Sequence, residues 1–316
     1  EVLALLNPDH VAPSVSWLCH EECKENGQVF EIGGGYIGRV VIQRAEGLSL
    51  ASTTIDEDFI GKIDKLNEFR NPQYPTSIRQ VDWIGLAESN TKLLRENPAT
   101  RKETPLKGLI ALVTGAGGGL GKSYALLLAR QGATVVVNDM GKTASGEMLA
   151  DSVVKEIKTA GGQAIPNYSN VLNAHEIVSD IVKKCGGLHI LINNAGILRD
   201  KSFSKLTKKD WNDVIDVHLN GTFMMTKACL PIFIKQKFGR ILNTTSAVGL
   251  YGNYGQSNYS SAKAGIISFT KSLAHEVGKH NILVNVVAPN AGTNMTATVL
   301  PKNVVELLKP EFVAPF

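Results

Sequence analysis

LIALVTGAGGGLG, from Leu109 to Gly121, is the stretch that decides the fold. Its first half is an apolar run of strand length, and five glycines follow within eight residues. Apolar residues then recur at helical spacing over Leu120–Gln131. A buried strand that runs through a glycine-rich turn into a helix predicts a phosphate-binding loop. The flanking elements make a merely flexible loop the weaker interpretation.

The glycines of this turn have separate tasks. Gly115 permits a tight turn, and Gly121 permits close packing of the helix on the strand. Gly117, Gly118 and Gly119 let backbone N–H groups approach a pyrophosphate with no side chain in the way. The turn therefore predicts a dinucleotide site.

Strands and helices alternate over the rest of the chain. The predicted strands are Leu109–Thr114, Thr134–Asn138, Gln163–Pro166, His189–Asn193, Arg240–Thr245 and Leu283–Ala288. The predicted helices are Leu120–Gln131, Gly146–Ala160, Ala174–Cys185, Trp211–Lys235 and Ser257–Val277. This alternation predicts an α/β fold, with a doubly wound, Rossmann-like parallel sheet and helices on both faces.

Composition excludes several classes of function. The 316 residues are 43% hydrophobic and 20% charged, with a formal net charge of +4. The chain has no basic block of the kind that nucleic-acid binders carry, and no apolar run near the ~20 residues of a membrane span. Cys19, His20 and Cys23 have no second ligand pair nearby, so no metal site is predicted.

A repeat links the two ends of the chain. Residues 2–13 read VLALLNPDHVAP and residues 304–315 read VVELLKPEFVAP, with seven identities in twelve positions at an offset of 302. We interpret the chain as cut across two tandem copies of one domain, in preference to a coincidental helix–proline motif. Residues 1–48 are then the tail of the first copy, 49–105 a connector, and 106–316 a second copy without its closing strand.

The tail and the connector have predicted elements of their own. In the tail, Val11–Cys23 is predicted to be a helix and Gly27–Ile42 a final strand that bends outward. The tail is a candidate to complete the sheet of the second copy, in the same chain or from another. Two amphipathic helices are predicted in the connector, the first with Phe59, Ile60, Ile63 and Leu66 and the second with Trp83, Leu86 and Leu94.

Asp139 follows the second strand of the alternating region, 24 residues after Gly115. A carboxylate in this place accepts hydrogen bonds from the adenosine ribose hydroxyls and repels a 2′-phosphate. This arrangement favours NAD over NADP as the cofactor. A helix-capping role for Asp139 is the alternative.

Tyr259 and Lys263 stand four residues apart in QSNYSSAKAG, on one face of a predicted helix. A lysine ammonium beside a phenol favours the phenolate and lowers the pKa of the tyrosine from its ordinary value near ~10. The pair therefore predicts a general base. An exposed Tyr and an exposed Lys on an ordinary helix are the alternative, which YxxxK alone does not exclude.

Together these motifs resemble the short-chain dehydrogenase/reductase superfamily. They are TGAGGGLG at 114–121, NNAG at 193–196, and Ser246, Tyr259 and Lys263, in that order from about Leu106 onward. The resemblance implies catalytic roles for Asn220, Ser246, Tyr259 and Lys263. It implies contacts with NAD from Gly115, Gly117, Gly118, Gly119, Leu120, Gly121, Asp139, Asn170, Val171, Asn193, Ala195, Gly196, Tyr259, Lys263, Pro289 and Thr296.

Two of these positions need comment. Asn220 lies midway along a predicted long helix and next to Gly221, which fits a local kink that holds a water. Asn170 departs from the family pattern, in which Asp-Val follows the third strand and the Asp lies near the adenine amine. An amide can replace that contact.

A narrower resemblance comes from NDMG at 138–141, ILRDKSF at 197–203 and APNAGTNMT at 288–296. These stretches are similar to the dehydrogenase units of the multifunctional β-oxidation enzymes of peroxisomes, whose fungal form carries two such units in tandem. The resemblance implies oxidation of a (3R)-3-hydroxyacyl-CoA with NAD in the peroxisome. It also implies a homologous unit, or a second copy of this chain, as partner. A non-catalytic dimerisation module and a dehydrogenase for hydroxysteroids or acyl-carrier-protein thioesters are the alternatives.

Overall fold

The computed structural model describes residues 7–48, 63–96, 105–293 and 302–314. Internal contacts divide these residues into two units. The smaller unit comprises the residues up to Glu46 together with Asn67–Thr76, and the larger unit comprises the rest. None of the described helices is long and apolar enough to cross a membrane.

The smaller unit contains a β-hairpin. Strand β1 (Val29–Gly33) pairs antiparallel with β2 (Tyr36–Val40). Gly34 and Gly35 join the strands with φ of 57° and 82°, the left-handed backbone that a two-residue hairpin turn requires. The single bent strand predicted for Gly27–Ile42 is therefore wrong. The hairpin forms its own sheet and contributes no strand to the larger one.

The helix in this unit is also shorter than predicted. It covers Ala12–Leu18, with the 3₁₀ turn Pro8–His10 before it. An equivalent 3₁₀ turn, Pro310–Phe312, occupies the same position in the second copy of the sequence repeat. The residues that end these turns, Val11 and Val313, share a φ of −94°. The repeat thus carries one local structure at both ends, whereas the proposed tandem boundaries stay a prediction.

The larger unit is built on a six-stranded, fully parallel sheet in the order β5-β4-β3-β6-β7-β8. Its strands are β3 (Ile110–Thr114), β4 (Thr134–Asn138), β5 (Gln163–Asn167), β6 (Ile190–Asn193), β7 (Gly239–Thr244) and β8 (Ile282–Val287). The predicted doubly wound fold is confirmed. Strand order reverses between β3 and β6, so a ligand crevice is expected beyond the carboxyl ends of these two strands.

Helices cover both faces of this sheet. They are Gly119–Arg130, Leu149–Thr159, Ala174–Cys185, Lys208–Ile215, Gly221–Gln236, Ala247–Tyr251 and Ser257–Val277, with Trp83–Glu96 before the sheet and Lys302–Leu307 after it. The predicted second connector helix is therefore present. Most of the predicted first one lies outside the described residues, and Ile63–Asn67 forms a 3₁₀ turn.

The helix predicted over Trp211–Lys235 is interrupted. A π-helical turn at Asp216–Asn220 separates Lys208–Ile215 from Gly221–Gln236. A π turn adds a residue to one turn of a helix and leaves local backbone groups without their usual partners. The predicted kink beside Asn220 is thus present, in the form of this π turn.

Side chains of the strands alternate between two buried layers, because successive residues of a strand point to opposite faces. One layer joins the sheet to Ala174–Cys185, Gly221–Gln236 and Ser257–Val277 through Leu112, Val136, Leu191, Ile241 and Val284. The other joins it to Gly119–Arg130 and Leu149–Thr159 through Ala111, Val113, Val135, Val137 and Ile192. These layers fix the strand ends that carry the site.

Candidate active site

Ser246 and Tyr259 reach each other from two successive elements beyond β7. Ser246 caps the helix Ala247–Tyr251, and its Oγ accepts a hydrogen bond from Val248 N at 3.2 Å. Tyr259 lies in the first turn of Ser257–Val277, close enough to Ser246 for hydrogen bonding with that side chain to lower the pKa of its phenol. The structure thus brings these two predicted catalytic residues together.

Burial dominates the titration of Tyr259. Its side chain is only 9% exposed, and this desolvation raises the pKa of the phenol to about 12. The hydrogen bond with Ser246 lowers this pKa, and the negative charge of Asp200 raises it. In the absence of a cofactor, the cost of burying a phenolate thus exceeds the help that the neighbours of Tyr259 give. The predicted lowering of this pKa by Lys263 together with a bound cationic nicotinamide ring stays a prediction.

Lys263 is 3% exposed and lies one turn beyond Tyr259. Its Nζ donates a hydrogen bond to Thr244 O at 2.7 Å and lies 5.5 Å from the centre of the Tyr259 ring. Burial lowers the pKa of this ammonium to about 7. The lysine is thus held beside the tyrosine by the end of β7, in a place where its charge is sensitive to a ligand.

Asn220 does not join this group. It is exposed, at the end of the π turn, and its Nδ2 donates to Asp216 Oδ1 at 2.7 Å. None of the hydrogen bonds of the described residues connects the Asn220 side chain to Ser246, Tyr259 or Lys263. The catalytic role that the resemblance implies for Asn220 stays a prediction.

His218 takes the place beside Tyr259 instead, and sequence reasoning missed it. Its imidazole is 1% exposed and meets the Tyr259 ring edge to face. His218 Nε2 lies 3.0 Å from Ile197 N and 2.8 Å from Ile197 O, which follows the NNAG motif. Nδ1 of the ring is buried without a partner among the described residues. The available signal was a second polar residue in the same turn, two positions before Asn220.

Gly196 makes room for this imidazole. A Cβ built on Gly196 would collide with the His218 ring, coming within 3.0 Å of Nδ1 and 3.1 Å of Nε2. Burial and the charge of Lys263 lower the pKa of His218 to about 3. The residue is therefore a neutral ring that fixes the distance between the NNAG loop and the catalytic helix.

The glycine-rich turn meets the NNAG loop backbone to backbone. Gly115 has a φ of 62°, and a Cβ there would lie 2.7 Å from Ala195 Cα. Ala195 N donates to Thr114 Oγ1 at 3.1 Å. Asn194 Nδ2 donates to Thr114 O at 3.0 Å and to Gly115 O at 3.1 Å. Asn194, which was not among the predicted site residues, therefore ties the two loops together.

Asp139 is bound to the same turn. Its Oδ2 accepts a hydrogen bond from Gly117 N at 2.8 Å, and its Oδ1 accepts one from Gly141 N at 2.7 Å. Gly118 has open space where a Cβ would stand, whereas a Cβ on Gly121 would collide with Gly115 O. The turn thus offers a backbone cradle with a carboxylate beside it, an arrangement that fits a dinucleotide.

For the remaining predicted cofactor residues, the structure shows hydrogen bonds within the fold or the degree of burial. Asn193 is 5% exposed and donates to Thr226 Oγ1 and Asn243 Oδ1, so it braces the sheet. Asn170 Oδ1 caps a 3₁₀ turn by accepting from Leu172 N at 2.9 Å. Three further residues keep their roles as predictions, and these are Leu120 and Pro289, both half-buried, and Val171, which is buried. Thr296 lies outside the described residues.

No group of three or more His, Cys, Asp or Glu side chains in the described part of the chain is arranged to hold a metal ion.

Many known proteins are similar to this chain. The short chain dehydrogenase family matches residues 109–303. A peroxisomal hydratase-dehydrogenase-epimerase of Neurospora crassa is 43% identical over 321 aligned positions, which cover all of this chain and 34% of that protein. The chain thus spans about a third of the length of the curated relatives it matches.

Two solved structures are similar as well. The crystal structure of a short chain dehydrogenase from Mycobacterium avium is 41% identical with a TM-score of 0.60, and the match covers 66% of this chain and 76% of that one. Full-length peroxisomal multifunctional enzyme type 2 from Drosophila melanogaster is 44% identical with a TM-score of 0.55, and the match covers 66% of this chain and 34% of that one.

Proposed function

The chain belongs to the short chain dehydrogenase family, and from that premise we propose that it oxidises a (3R)-3-hydroxyacyl-CoA to the 3-oxoacyl-CoA with NAD⁺. One observation carries the proposal. The Tyr259 side chain is buried, Ser246 is close enough to lower the pKa of its phenol, and Lys263 Nζ lies 5.5 Å from the centre of its ring. The names of the Neurospora crassa and Drosophila melanogaster relatives support a peroxisomal setting, and the first of these names includes a dehydrogenase.

Tyr259 acts as the general base. Its phenolate takes the proton of the substrate 3-hydroxyl as the C3–H bond breaks and the carbonyl forms. When bound, the nicotinamide of NAD⁺ supplies the hydride acceptor and a cationic ring near the phenol. Lys263 adds a second positive charge, so the phenolate becomes accessible near neutral pH in spite of its burial.

Ser246 donates a hydrogen bond to the reacting oxygen of the substrate. Its position is set by the cap that it makes with Val248 N. A donor that is fixed before the reaction stabilises charge on that oxygen without reorganising. Ser246 thus orients the alcohol toward Tyr259 and steadies the oxygen as it becomes a carbonyl.

The proton must then leave the buried phenol. The family resemblance implies that Asn220 anchors a relay water, and the side chain of this residue is exposed in the structure. His218 is the better candidate, because its unpartnered Nδ1 is buried beside Tyr259 and Lys263. A water between these groups satisfies that nitrogen and gives the proton a first acceptor.

NAD rather than NADP fits the carboxylate of Asp139. Gly117 N and Gly141 N hold this side chain at the glycine-rich turn, where the adenosine ribose is expected. A fixed negative charge repels the 2′-phosphate of NADP and accepts hydrogen bonds from the ribose hydroxyls of NAD.

We also propose a domain arrangement, a partner and a cellular location for this chain. Residues 106–316 form the dehydrogenase unit, 1–48 the tail of a preceding unit, and 49–105 the connector. The partner is a homologous unit of the same polypeptide or a second copy of this chain, and the location is the peroxisome. The relatives' names and the repeat at an offset of 302 support this arrangement.

The test is a direct assay of the whole chain. NADH absorbance is followed with (3R)- and (3S)-3-hydroxyacyl-CoA of several lengths, with NAD⁺ and NADP⁺ in parallel. We expect turnover with the (3R) thioesters and NAD⁺. Binding of NADH with no turnover of any thioester, hydroxysteroid or acyl-carrier-protein substrate would instead favour a non-catalytic dimerisation module.

A further inference from the structure

The segment that precedes the nucleotide fold reaches the catalytic centre. Ile78 is partly buried and packs against the cluster of Val214, Val248, Tyr259 and Ala262. It precedes Ile110, the first residue of the parallel sheet, by 32 positions. A side chain from outside the sheet and its crossover helices therefore touches the surroundings of the general base.

The local structure holds Ile78 in this place. Ser77 Oγ caps the 3₁₀ turn Ile78–Gln80 by accepting a hydrogen bond from Arg79 N at 3.2 Å. Val81, directly after the turn, is 5% exposed. Asp82 Oδ1 then accepts from Gly85 N at 2.9 Å in the first turn of Trp83–Glu96. Caps on both sides of a buried residue fix the backbone at Ile78.

This segment packs against two elements that lie beyond the carboxyl ends of β7 and β8. The turn Ile78–Gln80 packs against Ala247–Tyr251, the helix that Ser246 caps. Trp83–Glu96 packs against Lys302–Leu307, which follows the loop after β8. The segment thus spans from the helix beyond Ser246 to the element that follows the carboxyl end of β8.

We propose that Ile78 forms part of the wall of the substrate site and limits the size of the acyl group that the site accepts. This inference rests on the proposed function. Ile78 is aliphatic, and its branched Cβ leaves few rotamers, so it presents a firm apolar surface. The group that it meets in the bound state is the acyl chain of the thioester, beyond the C3 that Tyr259 and Ser246 hold.

The experiment compares Ile78→Ala and Ile78→Phe with Ile84→Ala in the full chain. Ile84→Ala removes the same atoms as Ile78→Ala, but from a side chain that is 45% exposed on the neighbouring helix. We measure kcat/KM for short, medium and long 3-hydroxyacyl-CoA substrates, and the thermal midpoint of each protein. We expect the long-to-short ratio of kcat/KM to rise about tenfold in Ile78→Ala, to fall by a similar factor in Ile78→Phe, and to stay unchanged in Ile84→Ala.

The outcomes separate this inference from the proposed function. A long-to-short ratio within about twofold of the parent in both Ile78 variants would show that Ile78 only braces the fold, even if the midpoint falls. If the parent chain oxidises none of the thioesters, the proposed function fails. The same proteins are then compared on secondary alcohols of graded size, where an unchanged size preference, or no turnover at all, overturns the inference as well.

Discussion

The imidazole of His218 meets the phenol of Tyr259 edge to face, with 5.2 Å between the ring centroids and 90° between the planes. An edge-to-face pair directs the positive rim of one ring at the negative face of the other and fixes both orientations. Because the pKa of His218 is lowered to about 3, this contact brings no charge to the phenol at neutral pH. The histidine contributes position, and the lysine contributes charge.

This contact makes Gly196 sensitive to a single methyl group. We expect Gly196→Ala to displace the His218 ring, lower the thermal midpoint and lower kcat, because the buried ring of His218 lines the position. A forced overlap in a packed interior costs about 1–3 kcal/mol. Gly278→Ala is the control, since a Cβ there meets nothing within 4 Å. Equal midpoints and rates for the two variants would contradict the packing described for His218.

Removal of the Tyr259 hydroxyl tests the base. Tyr259→Phe keeps the ring and its packing but removes the proton acceptor, so we expect kcat to fall by about 10²–10⁴ while NADH binding is retained. Tyr254→Phe serves as control because Tyr254 is 89% exposed. The measurement is the rate of NADH formation, with cofactor affinity from fluorescence titration. Turnover of Tyr259→Phe within tenfold of the parent would refute the assignment.

Local patterns in the sequence were enough for part of this site. The glycines of 115–121 and the pair Tyr259 and Lys263 follow from short spacing rules within one turn or one helix. His218 was not predictable in that way, because its role arises from contacts with Ile197 and Tyr259, which lie 21 and 41 residues away.

The fold was also predictable from the sequence only in part. Hydrophobic runs predicted all six strands of the parallel sheet to within about two residues. The signal is clearest for β3, β4 and β6, which are buried on both faces. The hairpin Val29–Val40 was missed because three consecutive glycines allow either a bend or a turn. Which of these forms depends on the pairing of the flanking strands.

A neighbouring carboxylate, that of Asp200, contributes to the raised pKa of Tyr259. The charge of Asp200 raises the pKa of Tyr259, so its removal lowers that pKa. The base must be ionised, and activity is lost as pH falls through its pKa in the complex. We therefore expect Asp200→Asn to move the acidic limb of the kcat profile to lower pH. Asp213→Asn, which removes a carboxylate paired with Lys209, should leave the limb in place.

We expect the choice between NAD⁺ and NADP⁺ to depend on the charge of Asp139. Asp139→Asn keeps the size of the side chain and removes the repulsion of a 2′-phosphate. We expect the ratio of kcat/KM for NAD⁺ to that for NADP⁺ to fall by about tenfold or more, as for the loss of one charged contact. Asp151→Asn is the control, since Asp151 accepts only from Tyr168 on the neighbouring surface. An unchanged ratio in Asp139→Asn would remove the basis for NAD preference.

The buried ammonium of Lys263 leaves a signature in stability as well as in rate. Burial lowers its pKa in the folded chain to about 7, well below its value near ~10.4 in the unfolded chain. Between these two values the unfolded state binds more protons, so the free energy of unfolding rises with pH across that window. We expect Lys263→Met to flatten this rise in urea unfolding of the cofactor-free protein. Lys271→Met, an exposed position on the same helix, should retain the rise. If the free energy of unfolding of the parent protein does not increase from pH 7 to pH 10, Lys263 is not buried away from water. The role proposed for it beside Tyr259 then loses its support.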